Sequence, residues 1–327
     1  MTNIATVVSK YYIDRILSLI NSLSKFNITL HILCYDTEIY NYLKNNIHNQ
    51  IKLYHLEEIY KFDNDLKKKI YELELINQVV SSRPVFIKYL NEKKNLHTLF
   101  LIDADTYFFS DPIKIIDEAK NYSIAFCRHN FVRKKEELEK KYGIYNAGFI
   151  YFNLDRNGKE FLNRWSNLCK EWCLFKAEDG KFSDQKYLET LYFEMSNNIK
   201  IINNPGVNLA PWNLENKLIE KKNGELYVNK NKIIFFHYHG IRTFSKFIYF
   251  LGVSGYRFRI SNQIKNLIYK DYLSLLILYG KNKNLYWKHS YSYNLHEINF
   301  LKVIRKAINF IKKIIYNDYK IYFWNFK

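Results

Sequence analysis

The sequence predicts an α/β protein, with a mostly parallel sheet flanked by helices and a helical, basic extension at its C-terminal end. Short apolar runs of strand length alternate with segments whose apolar residues recur at helical spacing. This alternation, with short connections, is typical of parallel sheets. Near residue 256 the pattern changes to long helical stretches. We therefore predict an α/β domain at residues 1–255 and a helical, basic-aromatic region at residues 256–327.

The first third of the chain supplies a β-α-β pattern. Three apolar runs are predicted strands: Asn3–Ser9, Ile28–Asp36 and Gln50–Leu56. Between the first two, apolar residues recur at helical spacing from Ile13 to Leu23. A helix that starts after Arg83-Pro84 leads to a fourth strand, which ends at Asp103. Strands joined through helices predict parallel pairing.

The middle of the chain mixes strands and helices. The predicted strands are Ser123–Arg128, Ala147–Leu154 and Asn198–Asn203, and the predicted helices are Gly158–Leu174 and Ser183–Met195. Gly224–Gly240 is predicted to form a hairpin. In an open α/β sheet, ligands bind at the carboxyl ends of the strands. Asp103 lies at such an end.

The composition excludes a disordered protein, since 48% of the residues are hydrophobic and 18% are aromatic. The 50 Lys and Arg residues exceed the 32 Asp and Glu residues and give a net charge of +18. Such a charge favours an anionic partner: nucleic acid, an anionic lipid surface or a phosphate-bearing substrate. The alternative explanation is a codon bias toward Lys, Asn, Ile and Tyr.

The cysteines and the N-terminus indicate the compartment. The four cysteines contain no Cys-x-x-Cys pair, so a thiolate zinc site is not expected and free thiols suit the cytosol. The first residues lack the pattern of a signal peptide, and no apolar stretch reaches the length of a membrane span. We expect a cytoplasmic protein, with peripheral membrane contact as an option.

That option comes from the last helix. From Leu301 onward, basic and polar residues share one helical face: Lys302, Arg305, Lys306, Asn309, Lys312 and Lys313. Apolar residues line another face: Leu301, Ile304, Ile308, Ile311 and Ile315. The pattern fits a helix lying in a membrane interface. The alternative is a surface helix whose apolar face packs on the domain.

The stretch "TLFLIDADTYFF" ends an apolar strand with Asp103 and Asp105. In an extended backbone, residues two apart point the same way, so both carboxylates could bind one ion. Carboxylates and phosphate oxygens suit Mg²⁺ or Mn²⁺, which would neutralise a departing diphosphate. Two acids in a solvated turn are the ordinary alternative.

A phosphatase is a second reading of the same residues. Phosphatases of the haloacid dehalogenase type carry Asp-x-Asp-x-Thr, with the first Asp as nucleophile. Here Thr106 directly follows the second Asp, and Tyr107 stands where the threonine is expected. The spacing therefore counts against this class.

Three later segments follow the Asp-x-Asp in order: "YNAGFIYFNLD" at 145–155, "SDQKYLETL" at 183–191 and "FFHYHG" at 235–240. With them, the chain from about Asn3 to Lys246 resembles metal-dependent nucleotide-sugar glycosyltransferases of the GT-A fold. It is most similar to glycosyltransferase family 8, which includes glycogenin and bacterial lipopolysaccharide hexosyltransferases. The resemblance implies a Rossmann-like GT-A domain and a nucleotide diphosphate sugar as donor.

The resemblance implies a metal site of three ligands. Asp103 and Asp105 match the metal-binding pair, and Asp103 also lies near the nucleotide ribose. His237 matches the histidine of the family's His-x-x-Gly segment. Imidazole beside carboxylates favours Mn²⁺ over Mg²⁺. His239 is a rival ligand, because His-x-His places both rings on one face of a strand, although the spacing to Gly240 favours His237.

The resemblance also implies the donor contacts. Asn146 and Gly148 match residues around the donor sugar, and Asp184 and Gln185 match the Asp-Gln beside it. Asp184 would stabilise or steer the sugar in the transition state, and Gly240 would let backbone approach the diphosphate. Lys88 falls where a donor-binding Lys or Arg precedes the metal strand.

Some positions depart from the family pattern. The usual Lys-Pro-Trp is replaced by "IRTFSKF", so Arg242 or Lys246 would supply the basic contact to the diphosphate. Lys181 stands where glycogenin has a second aspartate, which leaves the identity of the sugar open. Trp212 would either stack on a sugar or fill a loop.

The activity implied is transfer of a hexose, from a UDP-sugar by expectation, to a glycan or lipid-linked acceptor with retention, in surface polysaccharide or lipopolysaccharide synthesis. Nucleic acid is not an expected partner, because the basic residues do not form one aromatic-studded stripe. A basic nucleic-acid binder nevertheless stays the alternative from a different class.

Overall fold

The computed structural model describes residues 2–46, 50–243, 248–280 and 300–321. Within these ranges the strands are β1 (Thr2–Val8), β2 (Ile28–Cys34), β3 (Ile51–His55), β4 (Thr98–Ile102), β5 (Thr106–Phe108), β6 (Ile124–Arg128), β7 (Tyr145–Asn153), β8 (Ile199–Ile202), β9 (Ile219–Lys222), β10 (Glu225–Val228), β11 (Asn231–Lys232), β12 (Phe235–His237), β13 (Arg242–Thr243), β14 (Ile248–Phe250) and β15 (Tyr319–Ile321).

The helices are α1 (Ile13–Leu23), α2 (Thr37–Asn46), α3 (Leu56–Phe62), α4 (Asn64–Ile70), α5 (Leu75–Lys94), α6 (Ile113–Ala119), α7 (Glu137–Tyr142), α8 (Arg156–Glu171), α9 (Tyr187–Met195), α10 (Asn262–Ile264), α11 (Lys270–Gly280) and α12 (Phe300–Ile315). A π-helical turn, Lys265–Tyr269, joins α10 to α11. Side-chain caps begin some of these helices: Asp155 accepts a hydrogen bond from the Gly158 amide at the start of α8.

The main sheet has seven strands in the order β3-β2-β1-β4-β7-β6-β8. All of them run parallel except β7, which is antiparallel to both of its neighbours, β4 and β6. The reversal places the first residues of β7 beside the last residues of β4 and β6. The predicted mostly parallel α/β sheet is confirmed, and its carboxyl edge gathers residues from the end of β4 and the start of β7.

Helices cover both faces of this sheet. Along β4, Leu99 and Leu101 belong to one hydrophobic core, with α5 and α8, while Phe100 and Ile102 belong to a second core, with α1. Successive strand residues point to opposite faces, and both faces are buried, so the strands are apolar throughout rather than alternating. A third core surrounds β12, β14 and α11.

One predicted helix starts earlier than expected. The helix predicted after Pro84 begins at Leu75 and carries Pro84 in its interior. An internal proline removes a hydrogen bond and costs about 3 kcal/mol. Here the residues around it, Ser81 to Ile87, are all buried, and their packing offsets that cost.

Two further boundaries differ from the prediction. The helix predicted at Ser183–Met195 begins only at Tyr187, because Ser183 adopts a left-handed backbone with φ of +50°. The predicted hairpin forms only in part: β10 pairs with β11, but β12 crosses to pair antiparallel with β5. That long-range pairing outweighs the local one.

The described part of the C-terminal region packs closely on the α/β domain. Helix α11 contacts α1, and β15 pairs antiparallel with β14. The buried Asp318 carboxylate accepts hydrogen bonds from three backbone amides, those of Leu251, Val253 and Ser254, at 3.0–3.1 Å. The division at residue 255 stays a prediction, although many contacts cross it. Among the described helices, none combines the length and apolar character needed to cross a membrane.

Candidate active site

A cleft of about 880 Å³ opens at the carboxyl edge of the main sheet. Its walls come from the end of β1, the start of α5, the end of β4, the start of β7 and the segment after β12. Most of the residues predicted for the site line it: Asp103, Asp105, Asn146, Gly148, Asp184, Gln185 and His237, together with His239 and Trp212. The structure therefore brings distant motifs into one cleft.

Of the three predicted metal ligands, His237 lies close to both aspartates. His237 Nε2 lies 3.1 Å from Asp105 Oδ1 and 3.5 Å from Asp103 Oδ2. Neighbouring ligands of an octahedral ion with bonds of 2.0–2.1 Å lie about 3.0 Å apart. Two hard carboxylates and one imidazole suit Mn²⁺. The residues present fit such a cation.

The backbone explains how these ligands meet. β4 ends at Ile102, a turn carries Ala104 and Asp105, and β5 pairs with β12 so that Thr106 lies opposite His237. The Tyr238 amide donates to the carbonyl of Asp105 at 2.8 Å. The sequence predicted that both aspartates lie on one extended strand. That prediction is wrong, because Asp105 lies in a turn. The turn nevertheless directs both toward His237.

Asp105 and His237 stabilise each other's charged forms. Burial disfavours the Asp105 carboxylate, but the nearby histidines outweigh burial and hold the pKa of Asp105 well below its usual range. Burial likewise opposes protonation of His237, yet Asp105 raises the pKa of His237 above its ordinary value. Without a cation, the Asp105 carboxylate is therefore balanced by the positive charge that it favours on His237.

Asn146 organises a hydrogen-bonded network at the floor of the cleft. Its Oδ1 accepts from the Gly148 amide and from Asn208 Nδ2, both at 3.1 Å. Its Nδ2 donates to Gln185 Oε1 at 3.0 Å and lies 3.1 Å from His129 Nε2. Gln185 Nε2 in turn donates to the carbonyl of Tyr142. Asn146 and Gln185 are therefore rigidly held.

Arg83 is a site residue that the sequence reasoning missed. Its guanidinium donates to Asp184 Oδ2 at 2.6 Å and to the carbonyl of Ala147 at 2.5 Å, and it lies 3.1 Å from Asp103 Oδ1. Burial raises the pKa of Asp184, and Arg83 opposes that shift. Arg83 thus links Asp103, just after the end of β4, to Asp184.

Lys88, chosen from the sequence for a donor contact, does not line the cleft. It lies on α5 five positions after Arg83, about 140° around the helix at 100° per residue. The basic residue on the cleft side of α5 is Arg83. The signal that could have found it is the position of Arg83 within a run of small and apolar residues, Val79 to Ile87, that the fold buries almost entirely.

The segment after β12 supplies the remaining predicted residues. Gly240 has a positive φ of +78°, which suits glycine. Arg242, in β13, is exposed and does not line the cleft, although its charge helps to lower the pKa of His239. Lys246 lies outside the described residues.

Trp212 fills space beneath the histidines. Its side chain is buried, and its ring contacts the edges of His237 and His239, at centroid distances of 5.0 and 5.7 Å. Of the two sequence interpretations, filling a loop fits this placement. Gly148 has a packing reason as well, because an added Cβ would lie 2.6 Å from His237 Cε1.

Comparison with known families places this cleft in context. Residues 29–242 match the family model of the nucleotide-diphospho-sugar transferases. The match spans the turn that carries Asp105, the Asn146 network and the histidine segment.

The chain belongs to the nucleotide-diphospho-sugar transferase family.

The chain is also similar to two bacterial proteins and to a solved structure. The transferase is 30% identical over 251 residues to YfnF, an uncharacterized protein of Bacillus subtilis (strain 168), covering 73% of this chain and 82% of YfnF. It is 25% identical over 241 residues to YfnD of the same strain, covering 72% and 76%. Its fold is similar to that of the galactosyltransferase LgtC, solved with donor and acceptor sugar analogs, with a TM-score of 0.53 at 13% identity.

The likeness to LgtC covers 84% of this chain and 95% of that protein, and it confirms the GT-A fold. As a member of the nucleotide-diphospho-sugar transferase family, the chain is a glycosyltransferase that uses a nucleotide-diphospho-sugar donor. The phosphatase reading is set aside, because the acids it would use lie within the family match and Asp103 contacts Arg83 and His237.

Proposed function

We propose that this transferase moves a hexose from a UDP-sugar to a hydroxyl of a glycan or lipid-linked acceptor, in a reaction that depends on Mn²⁺ or Mg²⁺. The observation that carries the proposal is the meeting of Asp103, Asp105 and His237 beside the Arg83–Asp184 pair. These two features lie in one cleft, where a diphosphate and its sugar could bind together.

The protein side chains have separate tasks in this proposal. Asp103, Asp105 and His237 would hold the cation, which supplies charge neutralisation for the leaving diphosphate. Asp184, fixed by Arg83, lines the cleft and would stabilise positive charge that develops on the sugar. Asn146 and Gln185 would orient the sugar hydroxyls. Gly240 would allow the backbone to approach the diphosphate.

We further propose that the anomeric configuration is retained. The described lining of the cleft places no free, solvent-accessible carboxylate where a base could activate the acceptor: Asp103, Asp105 and Asp184 are all engaged with Arg83 or His237. A mechanism without an obligatory protein base accords with retention. Analysis of the product by ¹H NMR would test this, and an inverted product would overturn it.

The donor can be identified with a panel. Purified protein would be mixed with UDP-, GDP- and CMP-sugars in the presence of Mn²⁺, and both melting temperature and hydrolysis would be measured. A bound donor stabilises the folded state by mass action, about 2.7 kcal/mol at a concentration 100 times its Kd. We expect a UDP-hexose to give the largest shift. A larger shift with a GDP- or CMP-sugar would correct the nucleotide.

Asp105→Ala should abolish donor hydrolysis and transfer, because it removes one of the carboxylates that would hold the cation. A chelator should do the same to the unchanged protein. The matched control is Asp117→Ala, which removes an exposed aspartate remote from the cleft and should leave the rate unaltered. Full activity in chelator would contradict the metal dependence.

The acceptor is proposed to lie at a membrane surface, in surface polysaccharide or lipopolysaccharide synthesis on the cytosolic face. In α12, Ile308, Ile311 and Ile315 are 46%, 53% and 57% exposed, so the apolar stripe of the helix is not packed on the domain in its described part. Lys312, beside it, is exposed too. An apolar stripe flanked by lysines suits anionic lipid.

Substitution tests this proposal better than truncation, because truncation would also remove Asp318. Ile311→Glu combined with Ile315→Glu should abolish sedimentation with vesicles that contain phosphatidylglycerol, while the melting temperature stays unchanged. Phe193→Glu is the control, since Phe193 is 88% exposed on a different helix. Vesicle binding by the double variant equal to that of the unchanged protein would assign α12 a purely structural role.

A further inference from the structure

His239 has no task in the mechanism above, yet it lies beside the metal ligands. Asp105, His237 and His239 form a cluster in which one ligand atom from each residue lies within 4.8 Å of the others. Opposite ligands of an octahedral ion with bonds of 2.0–2.1 Å lie about 4.2 Å apart. The three residues are therefore close to the separation that a single cation requires.

The position of His239 follows from the strand that precedes it. His237 ends β12, and Tyr238 points the other way: its ring stacks on Tyr272 at 3.7 Å and its hydroxyl donates to the carbonyl of Ile268. Because side chains alternate along an extended chain, a buried Tyr238 leaves His239 on the same side as His237. Both histidines line the cleft.

The surroundings hold the two imidazoles together. The buried Trp212 ring lies against both of them, and the rings of His237 and His239 are nearly perpendicular, at 86°. No hydrogen bond joins the His239 ring to any residue that the structure describes. The ring is exposed to the cleft, so it can rotate without leaving a buried polar atom unpaired.

We propose that His239 is a second imidazole ligand of the cation, so that the protein contributes two carboxylates and two histidines. Diphosphate oxygens of the donor would complete the coordination. The proposal rests on the metal-dependent transfer proposed above, and it adds a preference of the site for one metal ion over another. A second nitrogen ligand favours Mn²⁺ and later first-row ions over Mg²⁺, which prefers oxygen.

Pulsed EPR of bound Mn²⁺ tests the proposal without any turnover, because each coordinated imidazole gives its own ¹⁴N coupling. Protein with Mn²⁺ alone should show two coupled nitrogens, and His239→Ala should show one. The same variant should bind Mn²⁺ several-fold more weakly in calorimetry, with a smaller loss for Mg²⁺. His97→Ala, at an exposed histidine outside the cleft, should keep both nitrogens and the Mn²⁺ affinity.

The outcomes separate this proposal from the proposed function. One nitrogen in the unchanged protein, with donor hydrolysis intact, overturns the role of His239 and leaves the transferase mechanism standing. An unchanged nitrogen count in His239→Ala, with weaker UDP binding, would instead make His239 a diphosphate contact and also overturn the proposal. Absence of any nitrogen coupling, with chelator-resistant hydrolysis, overturns the metal site itself. The melting temperature of each metal-free variant confirms folding.

Discussion

Gly148 lies directly beneath the imidazole of His237. A Cβ at this position would come within 2.6 Å of His237 Cε1 and 2.7 Å of Asn146 Oδ1, both closer than van der Waals contact. The backbone of Gly148 is not in the left-handed region, so the requirement for glycine is one of space. The residue that the sequence linked to the donor sugar therefore also shapes the proposed metal site.

Gly148→Ala should weaken Mn²⁺ binding, because the added methyl group must displace His237 from Asp105. Overpacking of this kind costs about 1–3 kcal/mol, equivalent to a loss of about fivefold to 150-fold in affinity if it falls on the bound geometry. Calorimetric titration with Mn²⁺ measures it. Gly255→Ala is the control, since its Cβ would meet no atom within 4 Å. Equal affinity in both variants would refute the packing explanation.

Arg83 shows why motif reasoning located some residues and not others. Asp103, Asp105, Asn146, Asp184, Gln185 and His237 stand in short, ordered motifs, and the structure brings them all to the cleft. Arg83 belongs to no such motif, and its role depends on the direction in which α5 presents it. The direction of a helical side chain depends on where the helix starts. Pro84 suggested a start after Arg83, so the sequence placed Arg83 outside the helix.

At the level of strands and helices, the pairing of β12 with β5 could not be predicted from local sequence patterns. The strands of the main sheet were predicted within a few residues, because apolar runs of strand length are a local signal. β5 is only three residues long, and its partner lies more than 120 residues later. Such a pair is chosen by burial in the folded molecule, so the sequence suggested a simple local hairpin instead.

The loop between β14 and α10 depends on a single carboxylate. Asp318 precedes β15 and accepts from the amides of Leu251, Val253 and Ser254. Between them lies Gly252, whose φ is +85° and whose added Cβ would lie 2.4 Å from the carbonyl of His239. The C-terminal segment therefore supports the turn that carries His239 and Gly240.

Asp318→Asn should destabilise the protein by about 1–3 kcal/mol, because the new amide group presents a donor to at least one backbone amide that has lost its acceptor. The variant keeps the shape of the side chain, so the loss reports on hydrogen bonding. Urea unfolding followed by circular dichroism measures it. Asp117→Asn, at an exposed position on α6, should change the free energy of unfolding by less than about 0.5 kcal/mol. An equally small change at Asp318 would contradict the role given to it.

The part of the protein that the structure describes is a three-layer α/β fold, with helices on both faces of the sheet. The order of the apolar segments was enough to predict this architecture. The reversed direction of β7 could not be predicted, because an apolar run does not reveal the direction of its strand. The reversal matters for function, since it places Asn146 and Gly148 beside the end of β4.

The stability of the molecule should fall in mild acid. Burial, with a smaller effect from Lys52, lowers the pKa of His31 to about 4, against about 6.5 in the unfolded chain. Between these values the unfolded chain binds more protons, so the free energy of unfolding decreases as pH falls from about 7 to 4. The His31 contribution amounts to at most about 3.5 kcal/mol. Urea unfolding of His31→Gln should show a shallower pH dependence, and an identical slope would contradict this account.

The attachment of β15 to β14 has a consequence for any enzyme that works at a surface. α12 leads through Asn317 and Asp318 into β15, and Asp318 holds the loop that backs the His239–Gly240 turn. If α12 rests on a bilayer, the mouth of the cleft is held at a set height and tilt above the lipid headgroups. The enzyme would then select acceptors by the distance between their terminal sugar and the membrane surface.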